Sequence, residues 1–352
     1  MFDPEKFIAE KVEEAKKIIT GNAIIAVSGG VDSSVAAAIV AKAIGERLTA
    51  VHVDNGFMRK HSDEMGESEW VVASLKKVGV NSILADAEEQ FLNARLDMHK
   101  IYPKGIPEAA KSEMQEDGFS KPLKEVVEPE VKRKIIGEQF IRVFEKEARK
   151  VNAKFLIQGT LAPDWIESGG GIRDNIKSHH NVGGLPPDMG VELYEPNHEL
   201  YKDEVSKVAR ALGLPAELSE RQPFPGPALA IRIIGPPNKE NTVIVREANY
   251  IWEQVLENAF KEGRLDKMPE QYLVGYFPSL KTVGVHGDVR CHGGAIGLRA
   301  FKTLDFMSGQ ASNIPFEILE EASIKITNAL KEKVNRVFYD VTHKPPGTTE
   351  FE

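Results

Sequence analysis

Ile25-Ala26-Val27-Ser28-Gly29-Gly30-Val31-Asp32-Ser33-Ser34 carries an apolar strand into a small, glycine-rich turn and then into the first turn of a helix. The main-chain N–H groups of such a turn, backed by the positive end of the helix, converge into a cradle for anionic oxygens. Gly29 and Gly30 remove side chains that would hold a phosphate off the backbone. A plain serine-glycine hairpin explains the glycines but not Asp32. A carboxylate beside phosphates repels them unless a cation lies between, so Asp32 predicts a bound Mg2+ held partly by phosphate oxygens. The spelling is neither the G-x-x-x-x-G-K-[ST] of a Walker loop nor the G-x-G-x-x-G of a dinucleotide fold.

Outward from this turn, residues 48–54, 81–86, 155–158 and 191–195 read as strands. Helical periodicity covers a stretch from Val31, residues 62–77, 132–151 and 202–212, the last stopped by Gly213 and Pro215. Short apolar strands alternating with helices predict an α/β, doubly wound parallel sheet. Ligands in such a sheet sit beyond the strands' carboxyl ends, where Ser28, Asp54 and Gln158 fall. Pro223-Phe224-Pro225-Gly226-Pro227 reads as a hinge, dividing a first domain (1–225) from a smaller α+β domain (226–352). The latter is expected to hold strands at 231–234, 271–277, 282–286, 295–301 and 336–341, with helices at 242–261 and 315–332. Residues 96–127 show little apolar periodicity, which predicts a functional lid or a disordered segment.

The chain has 352 residues, enough for two domains, and its 41% hydrophobic and 28% charged content is that of a soluble globular protein. Neither a signal-type apolar core nor a run of about 18 apolar residues occurs, so a cytoplasmic protein with no membrane association is expected. The single cysteine, Cys291, excludes an internal disulfide framework and the paired thiols of sulfur-transfer chemistry; it is expected to be structural. A net charge of −8 argues against nucleic acid as a partner. Anionic substrates then require local positive charge, and Lys132-Arg133-Lys134 is the densest candidate, although a basic triplet on a helix also describes a solvated face.

The first loop resembles, residue for residue, the SGGxDS loop of the ATP pyrophosphatases, adenine nucleotide alpha hydrolase-like enzymes that split ATP into AMP and pyrophosphate while adenylating a second substrate. The following segments are similar, in order, to the synthetase part of GMP synthase: Val53-Asp54-Asn55-Gly56-Phe57-Met58-Arg59-Lys60, Lys132-Arg133-Lys134-Ile135-Ile136-Gly137, Gln158-Gly159-Thr160-Leu161-Ala162-Pro163-Asp164, Ile176-Lys177-Ser178-His179-His180-Asn181, Lys202-Asp203-Glu204-Val205, Arg221-Gln222-Pro223-Phe224-Pro225-Gly226-Pro227 and Lys344-Pro345-Pro346-Gly347-Thr348. Together they cover essentially the whole chain. The resemblance implies that the 2-oxygen of xanthosine 5′-monophosphate (XMP) attacks the α-phosphorus of ATP, pyrophosphate leaves, and ammonia displaces AMP to give GMP.

Under that resemblance Ser28, Gly29, Gly30, Val31, Asp32, Ser33 and Ser34 hold ATP and the leaving pyrophosphate, with Asp54, Gln158, Gly159 and Lys202 beside them. His179 and His180, flanked by glycine runs, are candidates to close over phosphates, and Asp164 and Glu167 for further metal contact. Asp203 either orients Lys202 or is a helix-start acid complementing the dipole. XMP is expected at Arg133, Asp288, Lys344, Thr349 and Glu350: two cations for the 5′-phosphate, acids for ribose or purine. Pro345 and Pro346 stiffen a segment otherwise expected to fray. Residues 91–127 are expected to serve as the lid.

Five positions depart from the family: Gln222, Ala228, His343, Thr349 and Phe351. NAD synthetase shares the loop and the adenylation logic, but the proline hinge and the Lys-Pro-Pro terminus speak against it. A nucleotide-binding regulatory module without turnover would tend to lose Asp32, Arg133, Lys202 and Lys344, all present here. A tRNA-modifying enzyme is disfavoured by acidity and the missing thiols. With no glutaminase cysteine upstream of the loop, ammonia is expected from a separate glutamine amidotransferase subunit. The resemblance also implies a homodimer formed through the second domain.

Overall fold

A computed structural model describes residues 2–162, 190–219, 222, 224–286, 288–303 and 308–352. His179, His180, Asp164 and Glu167 lie outside the described residues. Two compact units emerge: residues 1–55, 65–87 and 137–226, and residues 56–64, 88–136 and 227–352. The linear division at residue 226 is therefore interrupted twice. Segments 56–64 and 88–136, expected in the first domain, group with the C-terminal residues.

The first unit is built on β1 (Ala23–Ala26), β2 (Leu48–Asp54), β3 (Ser82–Asp86), β4 (Phe155–Ile157) and β5 (Glu192–Tyr194), in the order β3-β2-β1-β4-β5. All four pairings are parallel. The central strands are covered on both faces, so β1 and β2 read as continuous apolar runs instead of alternating. α1 (Pro4–Ile18) starts on Asp3, whose carboxylate accepts from the Glu5 and Lys6 amides at 3.0 and 3.1 Å. α2 (Val31–Ile44) is buried nearly all round, because a run of alanines at 36–38 and 41 lets it approach its neighbours closely. α3 (Glu67–Lys77) packs on β2 and β3. α4 spans Pro129–Lys150, and α5 (Lys202–Ala211) packs on α1 and α2. The chain runs from β1 to β2 and β3 on one side, then to β4 on the other. The connections thus diverge at β1, with the Ser28 loop at the switch point.

The second unit centres on a mixed sheet in which β7 (Val289–Lys302) pairs antiparallel with β6 (Gln271–His286) and β8 (Gln310–Ala311), and parallel with β9 (Val334–Asp340). The two strands expected at 271–277 and 282–286 are one. Pro278 cannot donate to the ladder, and the register shifts between Phe277 and Thr282 without ending the pairing. α6 (Lys239–Lys261) and α7 (Phe316–Ala329) pack on each other, α6 also on β6 and α7 on β9. Segment 56–64 is stitched to α6: Arg246 donates to the carbonyls of Met58 and Gly56 at 2.7 and 2.6 Å, and Arg59 and Lys60 pair with Glu253 and Glu247.

Two expectations need correction. Residues 231–234 are not a strand; Ala228–Arg232 forms a 3-10 turn, followed by a single bridge from Ile233 to Tyr276. The segment 91–127 is not disordered. Phe91, Leu92, Met98, Ile101, Ala110, Leu123 and Val126 are buried, and short turns are tied by Ser120 N–H to Leu96 O at 2.8 Å and Lys121 N–H to Glu113 O at 2.7 Å. Its apolar residues are irregularly spaced because they serve turns, so no period announces them.

Ala228 has φ of +55°, a left-handed conformation that costs an L-residue about 1–2 kcal/mol and glycine nothing. Ala228→Gly should stabilise the protein by a net ~0.5–1 kcal/mol after glycine's greater unfolded-state entropy, read as a higher denaturant midpoint at unchanged m-value. An unchanged or lower midpoint refutes the assignment.

Candidate active site

The loop after β1 is held from several sides. Val27 N–H donates to Val51 O at 2.9 Å, continuing the β1–β2 ladder. Gly29 has φ of +82°, which turns the chain, and Gly30 caps α2. The hydroxyls of Ser33 and Ser34 both donate to Gly30 O, at 3.3 and 2.8 Å, while Ser28 Oγ accepts the Gly30 amide at 3.4 Å. Val31, Asp32 and Ser33 stand in the first helical turn, where an α-helix offers no carbonyl four residues back to its N–H groups.

Across the switch point, Gln158 continues β4 with its amide on Tyr194 O at 3.1 Å. Gly159 then passes so close to α2 that an added Cβ would lie 2.7 Å from the Asp32 carbonyl carbon and 2.8 Å from the Ser33 nitrogen. Asp54 ends β2 opposite Asp86, and its carbonyl accepts from Ala87 N–H at 3.0 Å. The structure therefore gathers Ser28 to Ser34, Asp54, Gln158 and Gly159 at the carboxyl ends of adjacent strands.

Lys202 opens α5 as an exposed residue. Asp203 pairs with Lys207, one turn on, at 3.2 Å.

Sequence reasoning missed two residues of this site. His52, buried in the middle of β2, places Nδ1 2.7 Å from Val27 O and Nε2 3.2 Å from Ser68 Oγ. A carbonyl only accepts, so Nδ1 carries the proton and Nε2 accepts from the hydroxyl. The sole imidazole in an otherwise apolar strand was the available signal. Asn197, fully buried, donates from Nδ2 to Asp32 O at 2.8 Å; nothing in its local sequence announces this.

The residues expected at XMP lie in the second unit, and all but Asp288 meet at residues 348–352. Lys344 Nζ donates to Thr349 Oγ1 at 3.3 Å. Arg299, buried, donates to the carbonyls of Thr348 and Thr349 at 2.7 and 3.1 Å and pairs with Asp340. Phe351 sits edge-on to Phe277, centroids 5.5 Å apart, and fills the space over Gly275 that a side chain there would need. Arg133 donates to the main-chain carbonyl of Glu352. Lys132 is no solvated residue: it is wholly buried, with Nζ 2.5 Å from Glu352 Oε2 and 2.8 Å from Ile233 O. Burial pushes the Glu352 carboxyl up to about 7 and pulls the Lys132 ammonium down, while their mutual attraction opposes both shifts.

Two expected ligands stand differently from expectation. Both oxygens of Glu350 accept from Arg232, at 2.9 and 3.0 Å, so its carboxylate anchors the segment before it can meet any substrate. Asp288 is an exposed turn residue at the tip of the β6–β7 hairpin. The strand between it and Arg299 spans roughly 30–35 Å at ~3.3 Å per residue, so one chain does not bring Asp288 to Lys344, Thr349 and Glu350.

The segment 88–127 is anchored at the start of α4. Glu113, buried, accepts the amides of Val127 and Glu128 at 3.1 and 3.3 Å and faces Lys121 at 3.7 Å. Glu128 accepts the Val131 amide at 2.7 Å and the Tyr102 hydroxyl at 3.2 Å. Burial, reinforced by Glu128, pushes Tyr102 up to about 12. Lys124 reaches Asn93 at 2.8 Å.

Against known proteins, residues 2–101 match the NAD synthase family and residues 258–351 the GMP synthase C terminal domain family. The chain is 47% identical over 354 residues to a Methanocaldococcus jannaschii protein named as one of the subunits of a glutamine-hydrolyzing GMP synthase, covering all of both chains. It is 46% identical over 350 residues to the like-named protein of Thermococcus kodakarensis, at 99% of each chain. A third relative, the glutamine-hydrolyzing GMP synthase of Clostridium tetani, is 44% identical over 98% of this chain and 61% of its own.

Gly159→Ala should separate β4 from the first turn of α2 and cut ATP use by roughly 10²-fold, the scale of a 1 Å misplacement at a reacting centre. Pyrophosphate release measures it; wild-type rates would show that the contact is dispensable. His52→Leu should destabilise the protein by about 1–3 kcal/mol by leaving the Val27 carbonyl unpaired. His52→Asn, whose amide can replace Nδ1–H, should recover most of that in chemical denaturation.

Proposed function

The chain belongs to the GMP synthase family, and from that premise we propose that it adenylates XMP at O2 with ATP, releases pyrophosphate and aminates C2 with ammonia, giving GMP and AMP. The observation that carries the reading is the Ser28 to Ser34 turn. Its Gly30 and Asp32 carbonyls are drawn back by Ser33, Ser34 and Asn197, the Val27 carbonyl just before it by His52, and its amides stand at the helix start where a departing diphosphate gathers charge. Gly159 and Gln158 border that point from β4, and Lys202 is the proposed further phosphate contact.

Among the described residues no group of three His, Cys, Asp or Glu could hold a metal ion by itself. Asp32 in the first turn of α2 is a hard carboxylate ligand of the kind Mg2+ takes singly, completing its shell with phosphate oxygens and water. Bound there, Mg2+ would neutralise negative charge on the pyrophosphate.

For XMP we propose the segment 348–352 with Lys344 and Arg133. The two cations suit a 5′-phosphate, and Thr349 offers a hydroxyl and main-chain groups. Asp288 reaches such a site only from a second copy of the chain, which is how the proposed homodimer through the C-terminal unit would employ it. His179 and His180 remain candidates for closing over phosphates.

The archaeal relatives carry the name of one subunit of a glutamine-hydrolysing enzyme, and a separate glutaminase subunit is the proposed source of ammonia. No helix among the described residues is long and apolar enough to cross a membrane. A cytoplasmic setting is in keeping with that.

Purified chain with ATP, Mg2+, XMP and an ammonium salt should yield GMP, AMP and pyrophosphate in equal amounts without glutaminase. Omission of XMP should reduce pyrophosphate release to background. No GMP under these conditions, or release indifferent to XMP, overturns the reading.

A further inference from the structure

Arg232 is a buried cation of the second unit that no step above requires. It closes the turn Ala228–Arg232, and its guanidinium forks onto both oxygens of Glu350 at 2.9 and 3.0 Å. Its remaining terminal nitrogen donates to Asn249 Oδ1 on α6 at 3.1 Å. The next residue, Ile233, gives its carbonyl to the Lys132 ammonium, which also meets Glu352 at 2.5 Å. One short stretch therefore grips both acids of the segment 348–352, two residues apart, through cations that are themselves buried.

We propose that Arg232 is a positioning residue for XMP: by locking Glu350, with Lys132 locking Glu352, it holds the segment 348–352 in its binding shape before the nucleotide arrives. The proposal deepens the reading above and rests on it. A planar guanidinium held at three acceptors leaves the Glu350 carboxylate one orientation, and lysine supplies the charge without the fork. Thr349, one residue before, then has its hydroxyl at Lys344 and its carbonyl at Arg299 as a consequence of where Glu350 is pinned. The segment carries its ordering cost in folding, so binding does not bear it. A merely structural arginine in this place would lower stability and disturb both substrates alike.

The test is Arg232→Lys in the full chain, with XMP binding by calorimetry in the absence of ATP and Michaelis constants for both substrates under saturating ammonium. XMP affinity and its KM should weaken by about tenfold while the KM for ATP stays within about twofold. Unchanged XMP affinity, or equal shifts for XMP and ATP, overturns the inference. Should the variant fail to fold, Asn249→Ala leaves the fork on Glu350 but removes its third acceptor. XMP affinity should then fall by about threefold with ATP unaffected, and an unaltered XMP affinity overturns the proposal. Wild-type chain that binds no XMP overturns the functional reading and this inference together, whereas wild-type binding beside an indifferent Arg232→Lys overturns this inference alone.

Discussion

An anion cradle made of main chain works only if its carbonyl oxygens are kept out of it, and that constraint organises the first unit. Each peptide in the turn after β1 brings an acceptor as well as a donor, and an acceptor aimed at a phosphate would cancel the amides beside it. Here Val27 O is taken by His52, Gly30 O by two serine hydroxyls, and Asp32 O by Asn197. Those donors come from β2, from the helix itself and from the segment after β5. The orientation of the turn is thus set from three places in the first unit at once. Gly159 completes the arrangement sterically, since the close pass of β4 leaves no room for the first turn of α2 to rotate.

The second unit solves a different problem with charge. Residues 348–352 hold a carboxylate at each of two positions, and left in water such a segment would be mobile. Burying Lys132 and Arg232 costs several kcal/mol per ion unless each is paired and hydrogen-bonded. Both are, and their partners are the acids of the same five residues. Arg299 adds main-chain acceptors, and Phe351 adds an aromatic plug over Gly275. Replacing either cation by an apolar residue would leave a buried carboxylate behind, so the pairs specify a conformation more than they supply net stability.

Much of the first unit was legible because its strands are short, apolar and bounded by turn residues. β2 is found at residues 48–54 as read, and β3 to β5 within one residue of their expected ends. The phosphate loop was legible for a different reason: function there resides in the backbone, and a backbone cradle leaves its mark in glycines and a single acid. The roles of His52 and Asn197 were hidden because each acts on a carbonyl from another element, and tertiary hydrogen bonds of that sort have no local spelling. The packing of the segment 91–127 was not legible for want of a period, since packing built from turns needs none. In the second unit the tail was read for its charges, but which charge met which depended on the turn at Ala228–Arg232, whose end overlaps the strand expected at 231–234, where Ile231, Ile233 and Ile234 dominate the composition.

The two candidate sites therefore differ in what would break them. A site of amides and a glycine contact is indifferent to most side-chain chemistry but intolerant of volume, because a methyl group at Gly159 displaces the very atoms that bind. A site held by buried ion pairs tolerates modest changes of shape but not of charge or fork geometry, because an unpaired carboxylate in a dry interior forces the segment to move or take up a proton. Glu352 already lies near that limit, its carboxyl pushed up to about 7 by burial even with Lys132 at hand. Lys132 and Arg133 both face it and oppose that rise. The shape of the segment offered to a purine nucleotide then depends on Lys132 and Arg232, cations that never need to touch the nucleotide.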